Sequence, residues 1–254
     1  MSLSDDEVRR YAPAADALKD RVIVVTGAGG AIGAALARAC AAHGARVVLS
    51  GRSVRKLESV YDSIVAAGGA RPAIAPLDFE KADATHYDAM AEALGKEFGR
   101  VDGLAHVAGL LGDRSPIKHY DVPTWLKVMH VNVNAPFILT QTLLPLLERS
   151  ADPSIVFTTS GVSVRGSAYW GAYAASKFAV EGLMQVLADE LDTERRIRVN
   201  SVNPGKVRSG MRAKAFPGED TSLLAAPEAV LAPFLYLLGP DSRETTGRRF
   251  DAQA

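Results

Sequence analysis

The chain has 254 residues, 48% of them hydrophobic and 23% charged, with 29 Lys+Arg balanced by 29 Asp+Glu. Such a composition describes a globular protein with enough chain for a sizeable core, and its neutrality gives no reason to expect a nucleic acid partner. A single cysteine, Cys40, excludes a disulfide framework or a thiolate metal site and points to a reducing, cytoplasmic setting. The five histidines are scattered and form no HExxH pair, so no metal site is expected.

Residues 1–20 are acidic and polar, without the apolar core of a signal peptide, and read as a short appended segment bearing one helix. No run approaches the ~20 apolar residues of a membrane span. RVIVVTG (21–27) reads as a buried parallel strand ending in glycine, and AIGAALARACAAHG (31–44) as a helix stopped by Gly44. ARVVLSG gives a second strand, and the helix after it has Ser53 available as its N-cap. The alternation continues with strands at ARPAIAPLD, VDGLAHVAG, SIVFTT and IRVNSV, and a last short strand in GRRFDAQA. A long helical stretch from about Val122 to Arg149 should bend at Pro136 and Pro145. Alternating strands and helices with short connections predict one α/β domain over 21–254, a Rossmann-type, doubly wound parallel sheet of about seven strands.

TGAGGAIG (Thr26–Gly33) lies between the first strand and the first long helix, where glycines let the backbone approach a pyrophosphate. An NAD site usually has an acid at the end of the second strand for the ribose 2′-OH. Here that strand ends in Gly51 followed by Arg52, a cation suited to a 2′-phosphate, so NADP(H) is expected over NAD(H). A plainer role for Arg52 is to solvate the start of a helix.

SGVSVRGSAYWGAYAASK (160–177) carries a hydroxyl at Ser160, a phenol at Tyr173 and an ammonium at Lys177. On a helix beginning near Tyr173, phenol and ammonium lie four apart on one face. A nearby positive charge favours phenolate and draws a phenol's pKa from ~10 toward the neutral range useful for acid/base work. The same spacing is common on ordinary helix surfaces. Ser160 follows a strand and should emerge at its carboxyl end, where open α/β sheets place ligands.

With TGAGGAIG, HVAG (106–109), HVNVNAPF around Asn132, Ser160 thirteen residues before YAASK, and NPG (203–205), the chain resembles the short-chain dehydrogenase/reductase family from Arg21 to its end. The resemblance implies an oxidoreductase moving hydride between a nicotinamide and a small-molecule carbonyl or secondary alcohol. In it Tyr173 would exchange the proton, Ser160 would hold the substrate oxygen, and Lys177 would bind the nicotinamide ribose and lower the Tyr173 pKa. Asn132 would help hold a water chain leading to Lys177. Gly27, Gly30, Ala31, Ile32 and Gly33 would line the pyrophosphate, and Asp78 the adenine. Ala108, Gly109, Gly205, Val207 and Ser209 would complete the cofactor site. The resemblance also implies a homodimer or homotetramer paired through the long helices.

Three positions depart from the family pattern: Ala31 replaces a glycine, His106 and Val107 replace the asparagines of NNAG, and Ser209 replaces threonine. Within the family, WGAYAASKFAVEGLMQVLADE, NPGKVRSGMRAKAFPGED and the ending FDAQ resemble the YciK-type oxidoreductases. The altered HVAG leaves room for a second reading, a dinucleotide-binding sensor or scaffold without turnover. A non-redox short-chain enzyme is disfavoured because the chain ends before a larger substrate domain. Residues 206–226 combine Gly210, Pro217 and Gly218 with charged side chains and few apolar anchors, and read as a lid that orders when cofactor binds. The lid cations Lys206, Arg208, Arg212 and Lys214 face Glu219 and Asp220; they suit an anionic substrate group or are simply solvated.

Overall fold

The computed structural model describes residues 3–194 and 197–254. Seven strands, β1 (Val22–Thr26), β2 (Arg46–Gly51), β3 (Ala73–Pro76), β4 (Gly103–His106), β5 (Ser154–Thr158), β6 (Arg198–Asn203) and β7 (Arg249–Asp251), form one sheet. Their order is 3-2-1-4-5-6-7 and every pairing is parallel. The apolar runs of β1 and β5 are buried along their whole length because helices cover both faces of the sheet. The order reverses between β1 and β4. At that point neighbouring connections leave on opposite faces, and a crevice opens at the carboxyl ends of the strands.

On one face α2 (Ala31–Ala42), α3 (Val54–Ala66) and α9 (Ala232–Leu238) close a core around Ile23, Leu36, Phe234 and Phe250. On the other, α4 (Ala84–Phe98), α6 (Ala135–Leu147) and α7 (Gly171–Glu194) close a core around Tyr87, Leu104, Leu143 and Phe157. No helix among the described residues is long and apolar enough to cross a membrane.

The helical stretch after Asp121 is interrupted differently from the expectation. α5 (Val122–Met129) runs into a π-turn over His130–Asn134 and then into α6, while Pro145 sits inside α6 without ending it. The π-turn lies just before Pro136, whose ring crowds the preceding turn and whose nitrogen has no hydrogen to donate.

The segment before β1 is not loose on the surface. Helix α1 (Asp5–Arg9) has a Ser4–Glu7 capping box and buries Val8. Arg248 holds the Leu3 carbonyl and the Asp5 carboxylate, and Tyr11 packs edge-on against Tyr236.

Residues 206–226 also carry more structure than their composition suggested. Helix α8 (Gly210–Ala215) is capped by the Ser209 hydroxyl, and Val207 bridges Ala225 so that the two ends of the segment meet. Val207, Ala215 and Leu224 are buried anchors. They were not legible in the sequence because they are too far apart to form a periodic apolar stripe.

Candidate active site

The carboxyl ends of the strands open into one cleft of ≈ 650 Å³. The glycine turn forms one end. Gly27 adopts φ +66°, and a Cβ on Gly33 would fall 2.2 Å from the Gly27 carbonyl oxygen, so close folding of the turn requires both glycines. Ala31, which replaces the family glycine, is the first residue of α2 and is accommodated there. Gly30 at the N-cap provides no side-chain cap, so the first amides of α2 face the cleft without a side-chain acceptor. A pyrophosphate fits that donor set.

At the end of β2, Arg52 lines the cleft with Ser53 and Lys56. Ser53 occupies the N-cap position of α3, but its hydroxyl makes no capping bond. That hydroxyl and the Lys56 ammonium were missed as site groups, since Ser before a helix ordinarily reads as a cap. β2 contributes no carboxylate. The nearby Glu80 is engaged by Lys127 at 2.8 Å. Asp78 lines the same end of the cleft. Three buried hydroxyls along its wall, those of Ser50, Thr158 and Thr159, have no partner among the described residues and can bond a bound group.

Gly27, Gly30, Ala31, Ile32, Gly33, Arg52, Asp78, Ala108, Gly109, Ser160, Tyr173, Lys177, Gly205, Val207 and Ser209 are brought to this one cleft. Asn132 is the exception. It is buried beneath the cleft, where its Oδ1 accepts from the Leu110 amide at 2.7 Å. Its Nδ2 donates to the Leu110 carbonyl and the Ser176 hydroxyl, both at 2.9 Å. The carboxamide therefore ties the loop after β4 to α7, and its side chain has no donor left for a water.

Tyr173 and Lys177 come from the first turns of α7, and Ser160 from the end of β5. The Lys177 ammonium is buried, donates to the Thr158 carbonyl at 2.7 Å and lies 5.7 Å from the centre of the Tyr173 ring. Burial pushes its pKa down to about 8, opposed by the Glu181 carboxylate one turn on. The Tyr173 phenol departs from expectation. Burial pushes it up to about 12, and only a hydrogen bond with Ser160 acts in the lowering direction. In this cleft, removal of water from the phenol outweighs the lowering by Ser160, and the Lys177 ammonium is directed to the Thr158 carbonyl.

His106, in place of the usual asparagine, does not leave the central strands unbraced. Its Nε2 bonds the Thr140 hydroxyl at 2.9 Å, and its ring stacks on Phe157 with centroids 4.7 Å apart. Burial first, and then the Lys177 charge, lower its pKa to about 3, so the ring is neutral.

Sequence reasoning also missed Glu181. Its buried carboxylate accepts from Ser163 Oγ at 3.1 Å, Ser201 Oγ at 2.8 Å and Arg249 Nε at 3.1 Å. Ser163 Oγ is within 2.6 Å of the Ser160 carbonyl, so this carboxylate braces the Ser160 turn.

Beyond Tyr173 the cleft turns apolar. Leu111, Tyr173 and Ala215 are buried together, with Trp170, Met211 and Phe216 packed against them. A Cβ on Gly109 would meet Lys177 Nζ and Met211 Cε, each at 3.8 Å, so α8 already reaches across the cleft.

Residues 21–220 match the family described as short chain dehydrogenase. The chain is 48% identical over 243 residues to the oxidoreductase YciK of Escherichia coli (strain K12), covering 96% of both chains. Among solved structures, a short-chain dehydrogenase from Pseudomonas syringae superposes with a TM-score of 0.94 at 51% identity, covering 96% of this chain and 98% of that one. A Shigella flexneri structure, a complex with NADP, superposes with a TM-score of 0.92 at 47% identity, covering 95% of this chain and 100% of that one.

Proposed function

The chain belongs to the short-chain dehydrogenase/reductase family of enzymes acting on CH–OH groups with NAD(P), and on that basis we propose an NADP(H)-dependent carbonyl reductase and alcohol dehydrogenase with Tyr173 as its general acid/base. The observation that carries this reading is the convergence of Ser160, Tyr173 and Lys177 on the same cleft as the uncapped start of α2. The nicotinamide supplies or accepts the hydride.

The protein's part is position and proton. Ser160 polarises the substrate oxygen, and Tyr173 gives that oxygen a proton in reduction or takes one in oxidation. Lys177 donates to the nicotinamide ribose and holds it against α7. Asn132 fixes the loop carrying Gly109 and Leu110 so that this wall keeps its shape. Arg52, Ser53 and Lys56 would form the 2′-phosphate pocket; that a Shigella flexneri relative was crystallised with NADP supports NADP binding here. Ser209, whose oxygen caps α8, keeps its hydrogen free to donate to the carboxamide of the ring. Residues 206–226 act as the lid.

Tyr173→Phe should abolish turnover in a carbonyl and alcohol panel followed by nicotinamide absorbance, while NADP(H) affinity stays near wild type. Arg52→Ala should weaken NADP(H) roughly tenfold to a hundredfold without weakening NAD(H). Wild-type turnover by the phenylalanine variant would end the acid/base assignment, and a wild-type enzyme preferring NAD(H) would end the cofactor assignment.

A further inference from the structure

An exposed guanidinium stands beside the apolar end of the cleft, against Trp170 and Ala215 of its wall. Arg114, in the loop after β4, lies over the Trp170 ring at 5.1 Å and the Phe216 ring at 4.6 Å. Its Nη1 donates to the Ala215 carbonyl at 2.6 Å. Among the described residues it has no carboxylate partner. Arg212, the other guanidinium here, is already neutralised: Glu219 takes both its Nε and its Nη2, at 2.6 and 2.5 Å.

Stacking fixes the plane of a guanidinium, and a bond on one edge leaves the other N–H groups aimed in that plane. Arg114 is thus preorganised as a fork with one prong spent. Trp170 links it to the catalytic centre, since the Trp170 and Tyr173 ring centres are 5.8 Å apart. The guanidinium carbon therefore lies no more than ~11 Å from the phenol ring, within reach of one small molecule. Trp170 is itself held at a conformational cost. Its neighbour Tyr169, an exposed aromatic residue, adopts φ +71°, a left-handed backbone that bulky side chains avoid.

We propose that the substrate is an anion, a small carbonyl or alcohol compound with an apolar body and a carboxylate at its far end, and that Arg114 is the residue that reads the charge. The inference rests on the reading of Tyr173 as the group that meets the substrate oxygen. The body lies along Trp170, Leu111 and Met211, and the carboxylate takes the free edge of Arg114. Excluding water from that edge when the body fills the cleft strengthens the charge-assisted bonds.

The test uses para-acetylbenzoate and its neutral isostere para-acetylbenzamide, titrated calorimetrically into the NADPH-loaded protein. To keep binding separate from chemistry, titrations are made in the Tyr173→Phe variant, with and without Arg114→Gln or Arg114→Lys, and turnover is followed in parallel with Tyr173 intact. The acid should bind about tenfold more tightly than the amide. Arg114→Gln should erase that difference while leaving amide and NADPH affinity unchanged, and Arg114→Lys should keep part of it. Equal affinity of acid and amide, or no binding of either, overturns the proposal. Equal weakening of both probes by Arg114→Gln also overturns it, since Arg114 would then only fasten α8 to Trp170. Acid preference with no turnover of either probe would support the anion site and count against the hydride-transfer reading alone.

Discussion

A phenol held near 12 acts differently in the two directions of one reaction. Reduction needs the protonated phenol, which is present throughout the neutral range, whereas oxidation needs the phenolate, a minor species there. In steady-state assays, kcat/KM for carbonyl reduction should stay level from about pH 6 to about pH 7, below the Lys177 titration near 8, while alcohol oxidation should climb up to about tenfold per unit of pH. A level oxidation profile across that range would mean that cofactor and substrate bring the phenol down far more than Lys177 does here. The spacing of Tyr173 and Lys177 was legible in the sequence; the outcome of their pairing was not. Spacing reports that two groups are neighbours, but not that the ammonium's hydrogen bond goes to Thr158. The same limit applies at His106, where loss of an asparagine was visible and its replacement by a bond to Thr140 and a stack on Phe157 was not.

At the scale of elements, α7 does more than carry Tyr173 and Lys177. Through Glu181 it fastens the Ser160 turn to β6 and β7, and Arg249 extends the connection to Asp251, which in turn accepts from Asn203, the first residue of NPG. Glu181→Gln keeps the size of the side chain and removes the charge, leaving the Arg249 guanidinium without one of its two carboxylates. We expect a loss of about 2–3 kcal/mol in urea unfolding, and a larger fall in kcat than rise in KM because Ser160 loses its brace. A change under ~0.5 kcal/mol would show that Arg249 is satisfied by Asp251 alone. Strand and helix order was readable because alternation and glycine punctuation are local signals. The Glu181 network was not, because it joins residues 160, 163, 181, 201 and 249, and no local pattern marks a buried acid on a helix. The α8 segment was misjudged for a related reason: its order comes from the Val207–Ala225 bridge and from single apolar anchors, which composition averages away.

For the whole molecule, the exposed apolar side chains are not evenly spread. Val122 and Leu126, one turn apart on α5, are 66% and 61% exposed, and Phe137 on α6 is 44% exposed. On α7, Phe178 and Val186 are 44% and 55% exposed, with Gly182 midway between them on the same face. A Cβ added to Gly182 would have nothing within 4 Å, so the stripe 178–182–186 is smooth and open to close approach by another helix. α5 and α7 pack on one another, so their exposed apolar residues lie on neighbouring helices. A face of that kind would cost solubility if left bare, and pairing with its symmetry copy across a two-fold axis would bury the Phe178 and Val186 of both chains. Covering the exposed half of each such side chain contributes about 0.7–1.5 kcal/mol, and an assembly through this face is expected. Sedimentation at micromolar concentration should give a multiple of 26.9 kDa, and Phe178→Glu with Val186→Glu should reduce it to the single chain while leaving the fold intact by circular dichroism. Gly182→Arg should do the same by filling the approach without touching the core. A wild-type protein that sediments as one chain would mean that the stripe is uncovered in solution, and that Tyr173 and Lys177 need no support from a second copy.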